Sequence, residues 1–88
     1  MKLKDGMIIN EMGEEYVAVA AGEAGRAFNG MIKMNGTAAF IVKLLRTETD
    51  EDAIVSALCA EYDVDEATAR DNVRSVVEQF RKVGLIKE

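Results

Sequence analysis

The hydrophobic pattern of this 88-residue chain changes its period near residue 35, and this change limits the possible folds more than any other feature. Before it, short apolar runs alternate with glycine, and only one of the seven glycines lies beyond residue 36. Such runs are typical of strands, whereas apolar residues repeated every three or four positions are typical of helices. Strands followed by helices predict an α+β fold, as a single domain over residues 1–88, with strands at about 7–34 and helices at about 36–83.

The glycine-rich section predicts a three-stranded antiparallel sheet. The first strand is Met7–Met12 and the second is Glu15–Ala21, and the two residues between them favour a hairpin. A turn is then expected at Gly22–Gly25, before a third strand at Phe28–Met34. No proline interrupts this third strand, so it should lie at an open edge of the sheet.

The third strand has an alternating pattern. Alternate side chains of a strand face opposite sides, so its core face should carry Phe28, Ile32 and Met34. Asn29, Met31 and Lys33 would then point the other way. Met31 is either an adaptable contact on a binding surface or a residue covered by the N-terminal segment.

Three helices are predicted after the sheet, each preceded by a polar residue that can cap it. Asn35 caps a first helix that is apolar nearly all round and therefore central. Thr49 or Asp50 caps the second, and Asp65 caps the third. The last two have helix-turn-helix spacing, and the whole predicts a winged helix-turn-helix-like arrangement. The apolar face of the third helix consists of Ala69, Val73, Val76, Val77, Phe80 and Val83.

Composition excludes much chemistry. The chain has no histidine and one cysteine, so it lacks an imidazole base, a Cys-His pair and a four-ligand zinc site, and we expect neither cofactor nor catalysis. Cys59 is expected to be a small buried hydrophobic residue that forms no disulfide, as in a reducing compartment. No signal peptide and no apolar stretch of membrane-spanning length is found, which predicts a cytoplasmic protein without membrane contact.

A family resemblance lies in the third strand and the helix after it. Residues 28–41, which read FNGMIKMNGTAAFI, resemble the PqqD-like family, named after coenzyme PQQ synthesis protein D, in their Gly-apolar-x-apolar-Asn strand end that leads into an apolar helix. The acid-capped second helix and the Gly84-Leu85 pair after the third helix occupy matching places. The resemblance extends over roughly Tyr16 to Ile86.

The resemblance implies a non-catalytic adaptor or peptide chaperone of ribosomally made, modified peptides. In that family the leader segment of a precursor peptide adds as a strand beside the third strand, and the domain presents it to a modifying enzyme, often a radical-SAM protein. Carried over by position, the peptide-binding residues would be Phe28, Asn29, Gly30, Met31, Ile32 and Lys33 of the strand and Val73, Arg74, Val77 and Arg81 of the third helix. Ala27-Phe28-Asn29 replaces the Tyr-Pro-Glu segment of PQQ pathway members, so the pathway, PQQ or another, stays open.

The main alternative is a winged-helix DNA-binding regulator. The third helix does carry Arg70, Arg74, Arg81 and Lys82, but acidic residues are interleaved with them and the chain has a net charge of −5. Phosphate neutralisation dominates nucleic-acid affinity, so we expect no nucleic-acid partner. A carrier protein would need a serine at a helix start, but Ser56 and Ser75 both fall inside helical patterns. The acidic clusters are typical of helix caps rather than of an active site. A plain interaction subunit and either a monomer or a homodimer remain open.

Overall fold

The computed structural model describes all 88 residues and contains five strands and four helices. In chain order these are β1 (Lys2–Leu3), β2 (Met7–Met12), β3 (Glu15–Ala20), α1 (Gly22–Ala27), β4 (Met31–Met34), α2 (Gly36–Leu44), α3 (Glu51–Glu61), α4 (Glu66–Lys82) and β5 (Ile86–Lys87). None of the four helices is long and apolar enough to cross a membrane.

The three-stranded antiparallel sheet is confirmed, with strand order β2-β3-β4. Its hairpin turn is the two-residue loop Gly13-Glu14, across which Met12 and Glu15 are paired. Gly13 has a φ of 68°, and no residue other than glycine has a positive φ. A positive φ at the first turn position alone is the pattern of a type II′ turn, whose twist suits an antiparallel hairpin.

The segment between β3 and β4 corrects the sequence expectation. The turn predicted at Gly22–Gly25 is the short helix α1, which continues to Ala27, and the N–H of Phe28 donates to the carbonyl of Ala24 at 3.0 Å. Alanine, glutamate and arginine favour a helix here, and the small, fully buried Ala24 lets the helix pack closely on the core. As a consequence the third strand begins at Met31, three residues later than predicted.

A second, two-stranded sheet joins the two ends of the chain and was not predicted. β1 pairs antiparallel with β5, with Leu3 opposite Ile86. The N–H of Leu3 also donates to the carbonyl of Leu45 at 2.7 Å, which ties the small sheet to the end of α2. Strands of two residues have too short an alternating pattern to be recognised in a sequence.

The three predicted helices and their caps are confirmed. The carboxamide oxygen of Asn35 accepts from the N–H of Ala38 at 2.8 Å. Asp50, and not Thr49, caps α3 by accepting from Ala53, and Asp65 caps α4 by accepting from Thr68. Each side chain satisfies a backbone donor that has no partner within the first turn.

The core is entirely apolar: every buried residue is hydrophobic. The predicted face of α4 supplies four of them, Ala69, Val73, Val77 and Phe80, while Val76 and Val83 lie at the border of the core, partly buried. Leu85 turns back and is fully buried. Cys59 differs from expectation because it is only half-buried, although it does pack against the core.

Two glycines provide a matched test of this backbone. Gly6 (φ 103°) lies so close to Ala21 that a Cβ atom would be 2.0 Å from its carbonyl oxygen, whereas a Cβ at Gly13 would meet nothing within 4 Å. We expect Gly13→Ala to lower the free energy of unfolding by about 1–2 kcal/mol, the cost of a left-handed residue with a side chain. Gly6→Ala should cost clearly more, because it adds a backbone clash. Chemical denaturation measures both, and equal losses would contradict the close approach of Gly6 and Ala21.

Candidate strand-edge and helix site

The hairpin turn decides which backbone groups of β4 are free. Residues that flank a two-residue turn form a hydrogen-bonded pair, so β3 directs the N–H and C=O groups of Glu15 and every second residue after it toward β2. The groups of Tyr16 and Ala18 therefore point toward β4, where they face Met34 and Ile32. It follows that Met31 and Lys33 direct their N–H and C=O groups away from the sheet.

The outer edge of β4 is open, and Met31 and Lys33 are the residues whose backbone groups are free there. No backbone hydrogen bond joins β4 to any element other than β3. Met31 is 62% exposed and Lys33 is exposed, whereas Ile32 and Met34 are buried on the core face. The predicted alternation is thus observed, and Met31 is not covered by the N-terminal segment. The free backbone groups of β4 are a template for one further strand.

Two observations place helix α4 relative to this edge. Beyond its end, a Cβ on Gly84 would lie 3.6 Å from the Cβ of Ala27, just before the segment that leads into β4. Nearer its middle, Asn72, Ser75 and Val76 share a depression with α2 residues that follow the end of β4. The end of α4 is therefore near the approach to β4 and its middle is near the residues after β4, so the helix and the strand run in opposite directions.

The depression between α2 and α4 has a volume of about 220 Å³ and is open to solvent. Its α2 wall comprises Asn35, Thr37, Ala38 and Ile41, and its α4 wall comprises Asn72, Ser75 and Val76. Gln79 and Val83 follow on the same side of the helix, and we call Asn72, Ser75, Val76, Gln79 and Val83 the uncharged flank. Val76 and Val83 are its apolar members and rest against the core. The uncharged flank offers apolar contacts bordered by amide and hydroxyl groups.

Three of the four helix residues predicted from the sequence line one depression, which lies on another side of α4. Val73 is fully buried, whereas Arg74, Val77 and Arg81 line a depression of about 530 Å³ near the start of α3, together with Thr49 and Glu88. Residues two apart on a helix point about 200° apart, so Arg74 and Arg81 face away from Val76 and Val83 respectively.

The strand residues predicted from the sequence are brought together only in part. Met31, Ile32 and Lys33 belong to β4, whereas Phe28, Asn29 and Gly30 form the connection from α1. The side chain of Phe28 is half-buried and packs on the core, and a Cβ on Gly30 would lie 3.3 Å from its ring. Asn29 is exposed. The connection thus borders the open edge without contributing to the ladder.

None of the ten peptide-binding residues predicted from the sequence lies on the uncharged flank. Val76 and Val83 were recognised as apolar positions, and their spacing of seven residues puts both on one side of the helix. They lie at the border of the apolar stripe, the place where a helix meets a neighbouring surface. The predicted Arg74 and Arg81 lie on the other side of α4, where their carboxylate partners are Glu51 on α3, Glu78 on α4 and Glu88 beyond its end.

Those partners form an ion-pair network that joins α3 to α4. Arg70 donates to Glu51 at 2.6 Å, to Asp52 at 3.0 Å and to Glu66 at 3.2 Å, and the Nε of Arg74 donates to Glu51 at 2.9 Å. The hydrogen bond from Arg74, followed by that from Arg70, lowers the pKa of Glu51. The carboxylate of Glu51 therefore receives both guanidinium groups and fixes the angle between the two helices.

Arg81 is held in a similar way at the end of α4. Its Nε donates to Glu88 at 2.7 Å and a terminal nitrogen donates to Glu78 at 2.8 Å. The hydrogen bond to Glu88, then that to Glu78, raises the pKa of Arg81. Each of the three α4 arginines is thus paired with carboxylates, and no row of unpaired guanidinium groups is available for phosphates.

The fold and this edge define a class of protein: a small winged helix-turn-helix-like domain with an unpaired strand beside its last helix. The comparison with family models agrees, since the model described as "Coenzyme PQQ synthesis protein D (PqqD)" matches residues 15–86. The chain belongs to the PqqD family. No curated protein sequence matches it.

Two solved structures have the same fold. The first, "TbiB1 in Complex with the TbiA(beta) Leader Peptide", superposes with a TM-score of 0.74 at 23% identity and covers 99% of this chain and 95% of its own. The second, "Lasso peptide synthetase B1 complexed with the leader peptide", has a TM-score of 0.72 at 21% identity, with 99% and 96% covered. Both agree with the PqqD-like architecture over nearly the whole chain.

The ion-pair network predicts a defined pH dependence. The pKa of Glu51 is lower in the folded protein than its ordinary value of 4.5, so its contribution to stability is fully present above about pH 4.5 and is lost as the pH falls through the lowered pKa. Glu51→Gln should lower the melting temperature at pH 7 and flatten its decline between about pH 5 and pH 3. Thermal melts across this range measure it.

Asp63→Asn is the matched control, because Asp63 is exposed, lies between the same two helices and forms no ion pair. Its melting profile should follow that of the unmodified protein. A Glu51→Gln profile that also follows it would show that the network does not stabilise the α3–α4 angle.

Proposed function

We propose that this protein is a non-catalytic adaptor that binds the leader segment of a precursor peptide by strand addition at β4 and presents it to a modifying enzyme. The observation that carries the proposal is the outward direction of the N–H and C=O groups of Met31 and Lys33 at an uncovered edge beside the uncharged flank. Strand addition obtains affinity from main-chain hydrogen bonds and specificity from pockets for alternate side chains.

Two lines of comparison support this mode. The chain belongs to the PqqD family, and its two structural neighbours are described as complexes with a leader peptide. Those peptides belong to the neighbours. What this chain shares with them is the fold, and its own open β4 edge is where we propose that a leader peptide binds.

The proposal assigns a position to each part of the peptide. Peptide residues opposite Met31 and Lys33 would exchange hydrogen bonds with them and carry their side chains on the exposed face of the sheet. Residues in between would point toward the core face, above the depression bordered by Ala38 and Val76. We therefore propose Val76 and Val83 as the apolar contacts of the leader, in place of Arg74 and Arg81, which are paired with carboxylates on the opposite side.

The adaptor role also agrees with the chemistry that the chain lacks. There is no histidine, and the acidic clusters at the starts of α3 and α4 serve as helix caps and as partners of arginine. The reaction would thus belong to the partner. By resemblance to the family, we propose a modifying enzyme of radical-SAM type in the cytoplasm, acting on a ribosomally made peptide in the PQQ pathway or in a different one.

DNA binding is the weaker candidate. The α3–α4 pair has the helix-turn-helix form, but Arg70, Arg74 and Arg81 would have to leave their carboxylate partners to reach phosphates. The net charge of −5 opposes that exchange as well.

Two substitutions test the proposed peptide site. Met31→Pro removes an outward N–H while its side chain is exposed, so the fold should persist and the affinity for the leader of the cognate precursor should fall at least about 100-fold. Val76→Glu places a charge in the apolar part of the depression and should lower the affinity about 10-fold or more. Fluorescence anisotropy with a labelled leader peptide measures both.

Variants at two other positions of the chain serve as controls. Glu11→Pro makes the corresponding change at the opposite edge of the sheet and should leave the affinity unchanged, and circular dichroism verifies that each variant is folded. Arg74→Gln decides between the two sides of α4: unchanged affinity supports the uncharged flank, whereas a loss comparable to that of Val76→Glu would place the peptide on the arginine side. Unaltered affinity of a folded Met31→Pro variant would exclude strand addition at β4.

A further inference from the structure

The sheet has a second open edge, formed by β2. The same turn that directs the outward groups of β4 pairs Ile8, Asn10 and Met12 with β3 through hydrogen bonds. Met7, Ile9 and Glu11 therefore direct their N–H and C=O groups away from the sheet. No backbone hydrogen bond of the molecule satisfies them, since β2 is bonded only to β3.

This second edge is less protected than the first. Natural edge strands avoid pairing with other chains because they are short or carry a lysine, a proline or a bulge. β4 has four residues and carries Lys33, whereas β2 has six residues, no lysine, no proline and a single charged side chain, Glu11. β2 also displays two of the most exposed large hydrophobic residues of the chain, Ile8 at 49% and Met12 at 64%.

We infer that the β2 edge pairs with the β2 edge of a second copy of this chain, antiparallel about a two-fold axis at Ile9. In this register Ile9 lies opposite Ile9 of the second copy, and Met7 lies opposite Glu11 of the second copy. All the outward N–H and C=O groups of both strands are then hydrogen-bonded. The result is one continuous sheet with the strand order β4-β3-β2-β2-β3-β4.

Among antiparallel registers, only this one pairs all three outward residues, Met7, Ile9 and Glu11, with one another. A register centred on Glu11 would in addition set two carboxylates opposite each other, which is destabilising. The register centred on Ile9 sets Glu11 opposite Met7 instead. It also brings Ile8 next to Asn10 of the partner and diagonal to its Met12, and diagonal neighbours are within reach of long side chains. Both exposed apolar residues are thereby partly covered.

The size of the contact predicts a weak dimer. A strand of six residues is about 20 Å long, and pairing two of them buries much less than the roughly 1,600 Å² of a stable protein–protein interface. The net charge of −5 on each chain adds repulsion that salt screens. Self-association is therefore expected only at concentrations of about 0.1 mM or more, and it should strengthen with ionic strength. Both β4 edges remain free, at the two far ends of the shared sheet.

Sedimentation equilibrium of the whole chain tests the inference without any ligand. The weight-average mass should rise from 9.6 kDa at about 10 µM toward twice that at about 1 mM, and more steeply in about 0.5 M salt. Glu11→Pro removes one outward N–H per chain from an exposed position, and should weaken the association at least 10-fold. Ile8→Lys, a change of an exposed side chain on the same strand, should weaken it by a similar factor.

Met31→Pro is the reciprocal control and should dimerise like the unmodified protein. If the Met31→Pro variant lost the dimer while the Glu11→Pro variant kept it, the chains would pair through β4, which would overturn the inference. A mass of one chain at 1 mM in high salt would overturn it as well, as would a full dimer in both the Glu11→Pro and the Ile8→Lys variants.

Discussion

The two-residue turn between β2 and β3 is the constraint on which the rest of the molecule depends. By making Met12 and Glu15 a hydrogen-bonded pair, it sets the alternation of backbone groups in all three strands. The same alternation puts the apolar side chains of β4 on the core and leaves the main-chain groups of Met31 and Lys33 free. A shift of one residue would bury Met31 and Lys33 and turn Ile32 and Met34 toward solvent, so the register of the site is fixed by the stability of the fold.

Helix α4 has different tasks on its two sides. One side carries Arg70, Arg74 and Arg81, whose ion pairs to α3, to a residue of the same helix and to the C-terminal residue hold the helix in position. The other side borders the depression between α2 and α4, and no charged residue lines that depression. Because the arginines are engaged elsewhere, the groove can accept an apolar peptide side chain without an unpaired charge at its wall.

Much of the fold could be predicted from the sequence, because the apolar periods, the turn residues and the polar caps all indicate the same elements. The β2–β3 hairpin, the caps Asn35 and Asp65 and the buried face of α4 are confirmed for this reason. The helix α1 was missed because its glycines have strong turn preference, while its helical form depends on the tertiary packing of Ala24. The small β1–β5 sheet depends on contacts between the chain ends, which no local pattern records.

The candidate site could be predicted in its strand half but not in its helix half. The side chains of a strand alternate between two faces, so assigning one residue of β4 to the correct face is enough to place Met31 outward. The buried face of α4 was predicted, but which of its two flanks borders the depression depends on how the helix is placed against the rest of the fold. The ion pairs of Glu51 with Arg70 and Arg74 mark the flank turned toward α3, and because these partners are 19 and 23 residues apart along the chain, the sequence alone does not link them.

Amide hydrogen exchange at four positions of β4 tests the central claim most directly. In the free protein, Ile32 and Met34 should exchange slowly because they donate to β3, and Met31 and Lys33 should exchange quickly. With saturating leader peptide, exchange at Met31 and Lys33 should slow at least about 10-fold, while Ile32 and Met34 stay protected. A leader peptide that binds without protecting Met31 and Lys33 would contradict strand addition at this edge.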